Sequence, residues 1–521
     1  MSFTAGPFTA GPFQAGPFRT GPLDMYGVLW DFAGSQPPTA AYNFRRTGLG
    51  TLIDASGNVV YGDHNLLLNS ATLSTQNVTT VAQQYTLKFS GSGTVTLSGT
   101  GSGVLSAGTN TFTATAGTLT LTVSGAVTAA QLNAGASATA YVETAGAAVY
   151  LPRYTFNHTT HAALGLLIEP QVTTTATTTA DFSGWTAVVV STSVVAGPGG
   201  VFSNATNVVE TSNGASALLV AFGKTVTSGA VTTLTFWVKK QDRQYLFLRC
   251  NDNATNANAA SVIVDLTNTT VAAAATAYGT FSGASATVDL IGDGHVVSLV
   301  FTSSTASVAV KVAGTSVTTR NASGELSSSD SVNGTANIQL RAWQLEAGSV
   351  ATSYIPNPTS GSLVRTTDGN WDITGSDFTQ LWGGGSERTI VVEWYDTGSS
   401  ANGDVLIAYA AGSNEMGIIY ASAVPYFWVR ASGVISAYVP IPGSFISGGR
   451  NKVAFSFVGS SLVLSMNGGS TGTYTITVPV VDTIRIAGSG LISSTFFLTL
   501  KSLSSRPTAI TGAALQALSA L

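Results

Sequence analysis

The residues with the most chemical potential lie in VPYFWVRA, Val424 to Ala431, where Tyr426, Trp428 and Arg430 fall on alternate positions. Alternate side chains of a strand share one face, so these three stand together while Phe427 points the other way. Aromatic faces stack on the carbon faces of sugar rings and a guanidinium bonds their hydroxyls, so the set suits glycan binding. Trp382 is a candidate of the same type, with Trp394 and Tyr395 further along. Against this stands the commoner fate of a large aromatic residue, burial in a core, for Trp394 and Trp428 above all.

Other chemistries are less well served. Glycan cleavage needs two carboxyl groups roughly 5–9.5 Å apart. Asp368 with Asp372, or Glu387 with Glu393, can be drawn as pairs, but among 25 acidic residues no spacing singles one out. None of the four histidines accompanies a GxSxG turn, and His158 with His161 reads as a solvated turn without a third metal ligand. Oxygen ligands suited to calcium gather at Asp252 and at Asp289 and Asp293, without EF-hand spacing, so solvated turns are the plainer reading. The expectation is a binding protein, not an enzyme, with no cofactor and calcium as the one candidate structural ion.

Strands must position these residues. Glycine is frequent at 57 residues, charged residues make up 9%, and Thr173 to Thr179 is almost all threonine. β-Branched residues suit a pleated surface, and the usual helix formers Glu, Lys and Arg are scarce. An all-β chain follows, and 521 residues exceed one core, so about three or four domains are expected. Residues 41–63 contain a hairpin turning at Asp54 to Asn58. From His64 the runs QYTLKFSG, GTVTLSG, NTFTATAG and TLTLTVSG, separated by Gly, predict a small antiparallel sandwich over 64–144. A longer module over 173–357 closes on QLEAGSVATSY, Gln344 to Tyr354, which matches QLNAGASATAY, Gln131 to Tyr141. Two copies of one sandwich module are expected from that repeat. A third sandwich covers 358–521 and ends on a short amphipathic helix in TGAALQALSAL.

Composition excludes several classes. A hydrophobic fraction of 44% is too high for a disordered chain, no apolar run is long enough to span a bilayer, and a net charge of −4 offers no clustered cations for nucleic acid. Cys250 alone cannot form an intrachain disulfide, and MSFTAGPF lacks the basic start of a secretory signal, so synthesis in a reducing cytoplasm is expected. The first 23 residues repeat TAGPF, TAGPF, QAGPF and RTGPL, and Pro7, Pro12, Pro17 and Pro22 bar a helix or central strand. Residues 1–40 are therefore expected to be an extended arm whose Phe8, Phe13 and Phe18 anchor in pockets of a larger assembly.

Three strings carry a family likeness. LPRYTFNHTTHAALGLLIEPQ, Leu151 to Gln171, with DFSGWT after it, resembles the linker of bacteriophage tail-fibre and virion-surface proteins ahead of a carbohydrate-binding-like module. LRAWQLEAGSVATSYIPNPTSGSLVRTTD is similar to the end of that module, and SLVLSMNGG with ALQALSAL resembles concanavalin A-like or laminin G-like lectin sandwiches. The likeness implies a jelly-roll over 173–357, a lectin-like sandwich over 358–521, and a hairpin-and-linker unit made of 41–63 plus 145–172. In that group the IDASGNVVYG hairpin runs almost directly into PRYTF, so 64–144 reads as a domain inserted at an exposed turn. The resemblance also implies a virion location, tail-adaptor or capsid partners, host-surface polysaccharide as ligand, and a homotrimer. A capsid decoration or head-fibre protein is the alternative, and a polysaccharide depolymerase a third reading. No catalytic motif transfers.

Overall fold

The computed structural model describes residues 28–33, 46, 48–176, 179–180, 182–199, 201–211, 218–327, 334–357, 362–368, 371–383, 387–396, 403–410, 413–421, 424–486 and 497–521. Phe8, Phe13 and Phe18 lie outside the described residues. Among the described residues the chain is all-β, built of antiparallel sheets with two short helices, as its Gly-rich and β-branched composition favours. Among the described residues no helix is long and apolar enough to cross a membrane.

The module after His64 is a single five-stranded sheet. Gln83–Gly99 runs for 17 residues, and its two ends have different neighbours: Thr128–Ala134 pairs with Tyr85 to Ser90, and Gly117–Ser124 with Thr94 to Gly99. The strand turns between Phe89 and Thr94, where its register against Gly103–Ala114 shifts. Gly91 sits there at φ +108, and a Cβ would run into the Ala126 carbonyl. The sheet thereby bends over Leu87, Val95, Leu121 and Leu132. This corrects the expectation of a two-sheet sandwich, because one long strand serves both sides of the core. The ingoing and outgoing ends are tied by a short antiparallel pair, Asn65 to Val149 and His64 to Tyr150.

Residues 172–357 supply most of a two-sheet sandwich, eight strands facing six, the eight including Val172–Thr174 and Leu363–Arg365. Phe236, Leu248, Val262, Leu299 and Trp343 fill its core. The third sandwich faces a six-stranded sheet, which contains Asn414–Ala421, Val424–Ala431 and Val434–Pro440, with an eight-stranded one. The latter draws three strands from far upstream: Val28–Asp31, Arg153–Phe156 and Ala163–Ile168. Residues 28–31, expected in the arm, are thus a strand. They lack the proline repeat, and Trp30 and Phe32 gain burial against Trp371 at ring separations of 5.9 and 5.5 Å. The expected C-terminal helix forms over Gly512–Ser519 and seats Leu515 on Val391, Ala454 and Val463.

The two matching strings build matching clasps. Gln131 Oε1 accepts from the Val142 N–H (2.6 Å), and Gln344 Oε1 from the Ile355 N–H (2.8 Å). The Tyr141 and Tyr354 hydroxyls bond Ser70 Oγ and Thr179 Oγ1, at 3.0 and 2.8 Å. Those two oxygens in turn accept from the Thr144 and Asn357 N–H groups. Thr86 and Thr233 each donate to the carbonyl of the glycine in the string, Gly135 and Gly348. The repeat therefore extends to the clasp and the strand beside it, but not to the whole module, since one copy holds a single sheet and the other two.

Two of the strings that carry the family likeness, Leu151 to Gln171 and Leu340 to Asp368, converge on one buried ionic knot. Arg153 pairs with Glu169 (2.6 Å) and with Asp368, and Arg365 pairs with Glu169 (2.5 Å). Ser353 donates to Glu169 from both its N–H (2.7 Å) and its hydroxyl (2.6 Å), and Arg153 donates to the Thr51 carbonyl (2.7 Å). Burial alone raises a carboxyl, but Arg365 and Arg153 prevail and hold Glu169 down at about 2. Hairpin, linker, middle module and third sandwich thus meet on five charged or polar side chains.

Candidate functional site

The aromatic face forms on the outer side of the six-stranded sheet. Strand Val424–Ala431 lies between Asn414–Ala421 and Val434–Pro440, with Trp428 opposite Gly417 on one side and Tyr438 on the other. At Gly417 a Cβ would run into the Leu406 carbonyl, so this strand can pass only as glycine. Tyr426 stacks on Tyr438 with ring centroids 4.8 Å apart, and Trp428 meets Tyr438 edge-on at 5.6 Å. Tyr438 is 48% exposed, and Tyr426, Trp428 and Arg430 are half-buried, so the cluster keeps open ring surface.

Polar groups border the rings. Glu415 lies opposite Arg430 in register and pairs with it at 2.7 Å, and it accepts from Trp428 Nε1–H at 3.3 Å. The Arg430 guanidinium lies 5.9 Å from the Trp428 ring centre. Further along the same sheet Arg485 pairs with Asp372 (2.7 Å) and covers the Tyr409 ring at 4.8 Å. The face therefore offers flat apolar rings beside fixed donors and acceptors, which suits stacking of a sugar ring with its hydroxyls bonded at the rim.

The structure brings Tyr426, Trp428 and Arg430 together as the alternation predicts, and it does not bring Trp382 to them. Trp382 ends the helix Gly375–Leu381 and is buried against Phe378, Phe455 and Phe457 inside the sandwich. Its helix is amphipathic and turns that edge to the core, which corrects its assignment to the glycan face. Trp394 is also wholly buried. Tyr438 and Glu415 were missed. The signal was the ASG turn at 431–433, where Ser432 and Gly433 take positive φ and fold VISAYVP back as the next strand.

The remaining candidates are held by structural partners. Asp368 sits in the buried knot, Asp372 binds Arg485, Glu393 binds Arg450 and Lys501 (2.8 Å), and Glu387 accepts from the Ala509 N–H. Asp293 lies between Lys239 (2.7 Å) and Arg341, Asp252 accepts from the Ala254 N–H, and Asp289 faces His158 at 3.9 Å. A separate cleft of about 610 Å³ opens where hairpin, linker and middle module meet beside the third sandwich, its lining including Ile53, Leu167, Ile291 and Phe497 as well as His158 and Asp289.

No protein-family model matches this chain. No curated protein matches it either. Among solved structures it is similar to mouse laminin α1 chain domains LG4-5, at 11% identity over 56% of this chain and 84% of that one, with a TM-score of 0.20. It is similar to a Trypanosoma rangeli sialidase in complex with 2,3-difluoro-KDN, at 11% identity over 63% of this chain and 62% of that one, TM-score 0.23. It is also similar to NanB with Optactamide, at 13% identity over 27% of this chain, TM-score 0.22, and spans only 25% of NanB. The all-β sandwich architecture rests on the chain's own sheets.

Proposed function

We propose that this chain is a surface-adhesion protein that binds host glycan through the face built by Tyr426, Trp428, Tyr438 and Arg430. The carrying observation is the partly open stack of Tyr426 on Tyr438 beside Trp428, with Arg430 and Glu415 fixed at its edge. The likeness of the linker strings to tail-fibre proteins supports a bacteriophage virion as the particle that carries it, anchored through Phe8, Phe13 and Phe18. Weak sugar sites gain avidity when several copies are displayed, and a trimer on a fibre provides that multivalency.

Binding of the purified chain to polysaccharide from candidate host cells, wild type against Trp428→Ala, tests the adhesion reading. A loss of roughly tenfold, about 1.4 kcal/mol, is expected with the melting temperature unchanged. Equal binding by the two proteins defeats the assignment of this face. Immunogold microscopy of particles with an antibody to the third sandwich tests the location: gold at the tail supports a fibre, and gold over the head favours capsid decoration.

A further inference from the structure

The middle module carries a second face with the makings of a saccharide site. On the outside of its six-stranded sheet, Arg249 and Lys311 lie opposite each other on paired strands, and both are buried. A single carboxylate answers them: Glu325 Oε1 lies 2.8 Å from Arg249 Nη1 and 2.6 Å from Lys311 Nζ.

Glu325 arrives on a strap, the turn 320–326, which crosses the face. Asn321 closes the turn, its N–H donating to the Glu325 carbonyl and its side chain accepting from the Ser323 and Glu325 N–H groups. Arg320 ties down one side through the carbonyls of Ser261 and Ala274, and Leu326 is buried with Phe247 and Ile263 on the other. Gly324, at φ +81, lies directly on the Tyr278 ring, where any Cβ would collide with ring carbons.

The strap therefore presents two things to the sheet: a flat stretch without a side chain on an aromatic ring, and a carboxylate on two cations. A uronic-type sugar presents the same pair, a flat carbon face and a ring carboxylate. Charge points the same way. Among the described residues Arg249 and Lys311 share one carboxylate, and Arg320 bonds only carbonyl and hydroxyl oxygens, leaving surplus positive charge in a chain of net charge −4. We propose that this face is a site for carboxylate-bearing saccharides, masked by its own strap, with Glu325 standing where the ligand carboxylate binds. The inference rests on the adhesion reading but concerns a different module, so the two fail separately.

The test titrates the full chain, as wild type and as Glu325→Gln, with a hyaluronan octasaccharide and with maltooctaose by calorimetry. Glu325→Gln removes the competing charge and leaves the backbone bonds of the turn. Binding of the hyaluronan fragment is expected to tighten about tenfold, maltooctaose binding to stay the same, and the gain to vanish when Lys311→Gln is added. No gain in Glu325→Gln overturns the proposal, and an equal gain for a κ-carrageenan octasaccharide, which carries sulfate and no carboxylate, overturns its preference for carboxylates. Should Glu325→Gln melt early, hydrogen exchange of the 320–326 amides in the wild type replaces it. Faster exchange with the hyaluronan fragment supports a displaced strap, and unchanged or slower exchange overturns it. Trp428→Ala is expected to leave this response intact, which separates its failure from that of the aromatic face.

Discussion

Glu346 and Asn133 occupy the same place in the two clasps. Asn133 offers Oδ1 to the Thr139 N–H and Nδ2 to the Thr139 hydroxyl, while Glu346 accepts from the N–H and the hydroxyl of Thr352, both at 2.8 Å. Glu346 is 1% exposed. Burial, the largest influence, raises its carboxyl to about 7 against the bonds from Thr352 and Gln344 and the attraction of Arg365. The folded state therefore holds a proton that the unfolded chain releases between about 4.5 and 7, so stability falls as pH rises through that window. Glu346→Gln, which supplies the amide that the sister clasp already uses, is expected to be neutral below about pH 4.5 and stabilising above pH 7. The gain is on the order of 3 kcal/mol. Denaturant unfolding at pH 4.5 and pH 8 checks it, and an equal effect at both values refutes the titration. The repeat that locates both clasps was legible in the sequence, because hydrogen-bond frames depend on fixed offsets along the chain. The consequence of Asn against Glu was not, because it depends on burial.

At the level of elements, alternation and glycine punctuation revealed most strands, the 51–61 hairpin and the C-terminal helix, since these are local. What stayed hidden was where one strand changes partners. Gln83–Gly99 reads as two short strands in the sequence, QYTLKFSG and GTVTLSG, because Gly91 and Gly93 interrupt it. In the fold they are its bend. Gly91→Ala is expected to destabilise the 64–144 module by roughly 1–3 kcal/mol from the φ alone, with the clash on Ala126 added to that. Proteolysis should then cut first within 64–144 while the middle and third modules stay resistant. Wild-type resistance throughout means that the bend tolerates a side chain. The same limit concealed Tyr438, whose strand follows an unremarked turn, and misplaced Trp382, whose local pattern does not say which edge of its helix meets a sheet.

At the scale of the whole molecule, the linker strings were recognisable long before their role was visible. They are separated by about 200 residues, and only the fold gathers Arg153, Glu169, Ser353, Arg365 and Asp368 at one point. A buried ion cluster adds little over apolar packing, but removing one partner leaves the others uncompensated, at a cost of roughly 3–5 kcal/mol. Glu169 is the member shared by both arginines that bridge the modules. Glu169→Gln should therefore weaken the junction more than either module. In calorimetry the wild type is expected to unfold the middle and third sandwiches together, and the variant to show two transitions, the first at lower temperature. Acid should act in the same direction. The depressed carboxyl of Glu169 contributes stability that is fully present above the ordinary pKa near 4.5 and is lost as pH falls toward about 2. The wild type at pH 3 should then approach the two-transition profile that the variant shows at pH 7. A single unchanged transition in Glu169→Gln at both pH values would mean that the extended sheets joining the modules, and not the knot, hold their arrangement.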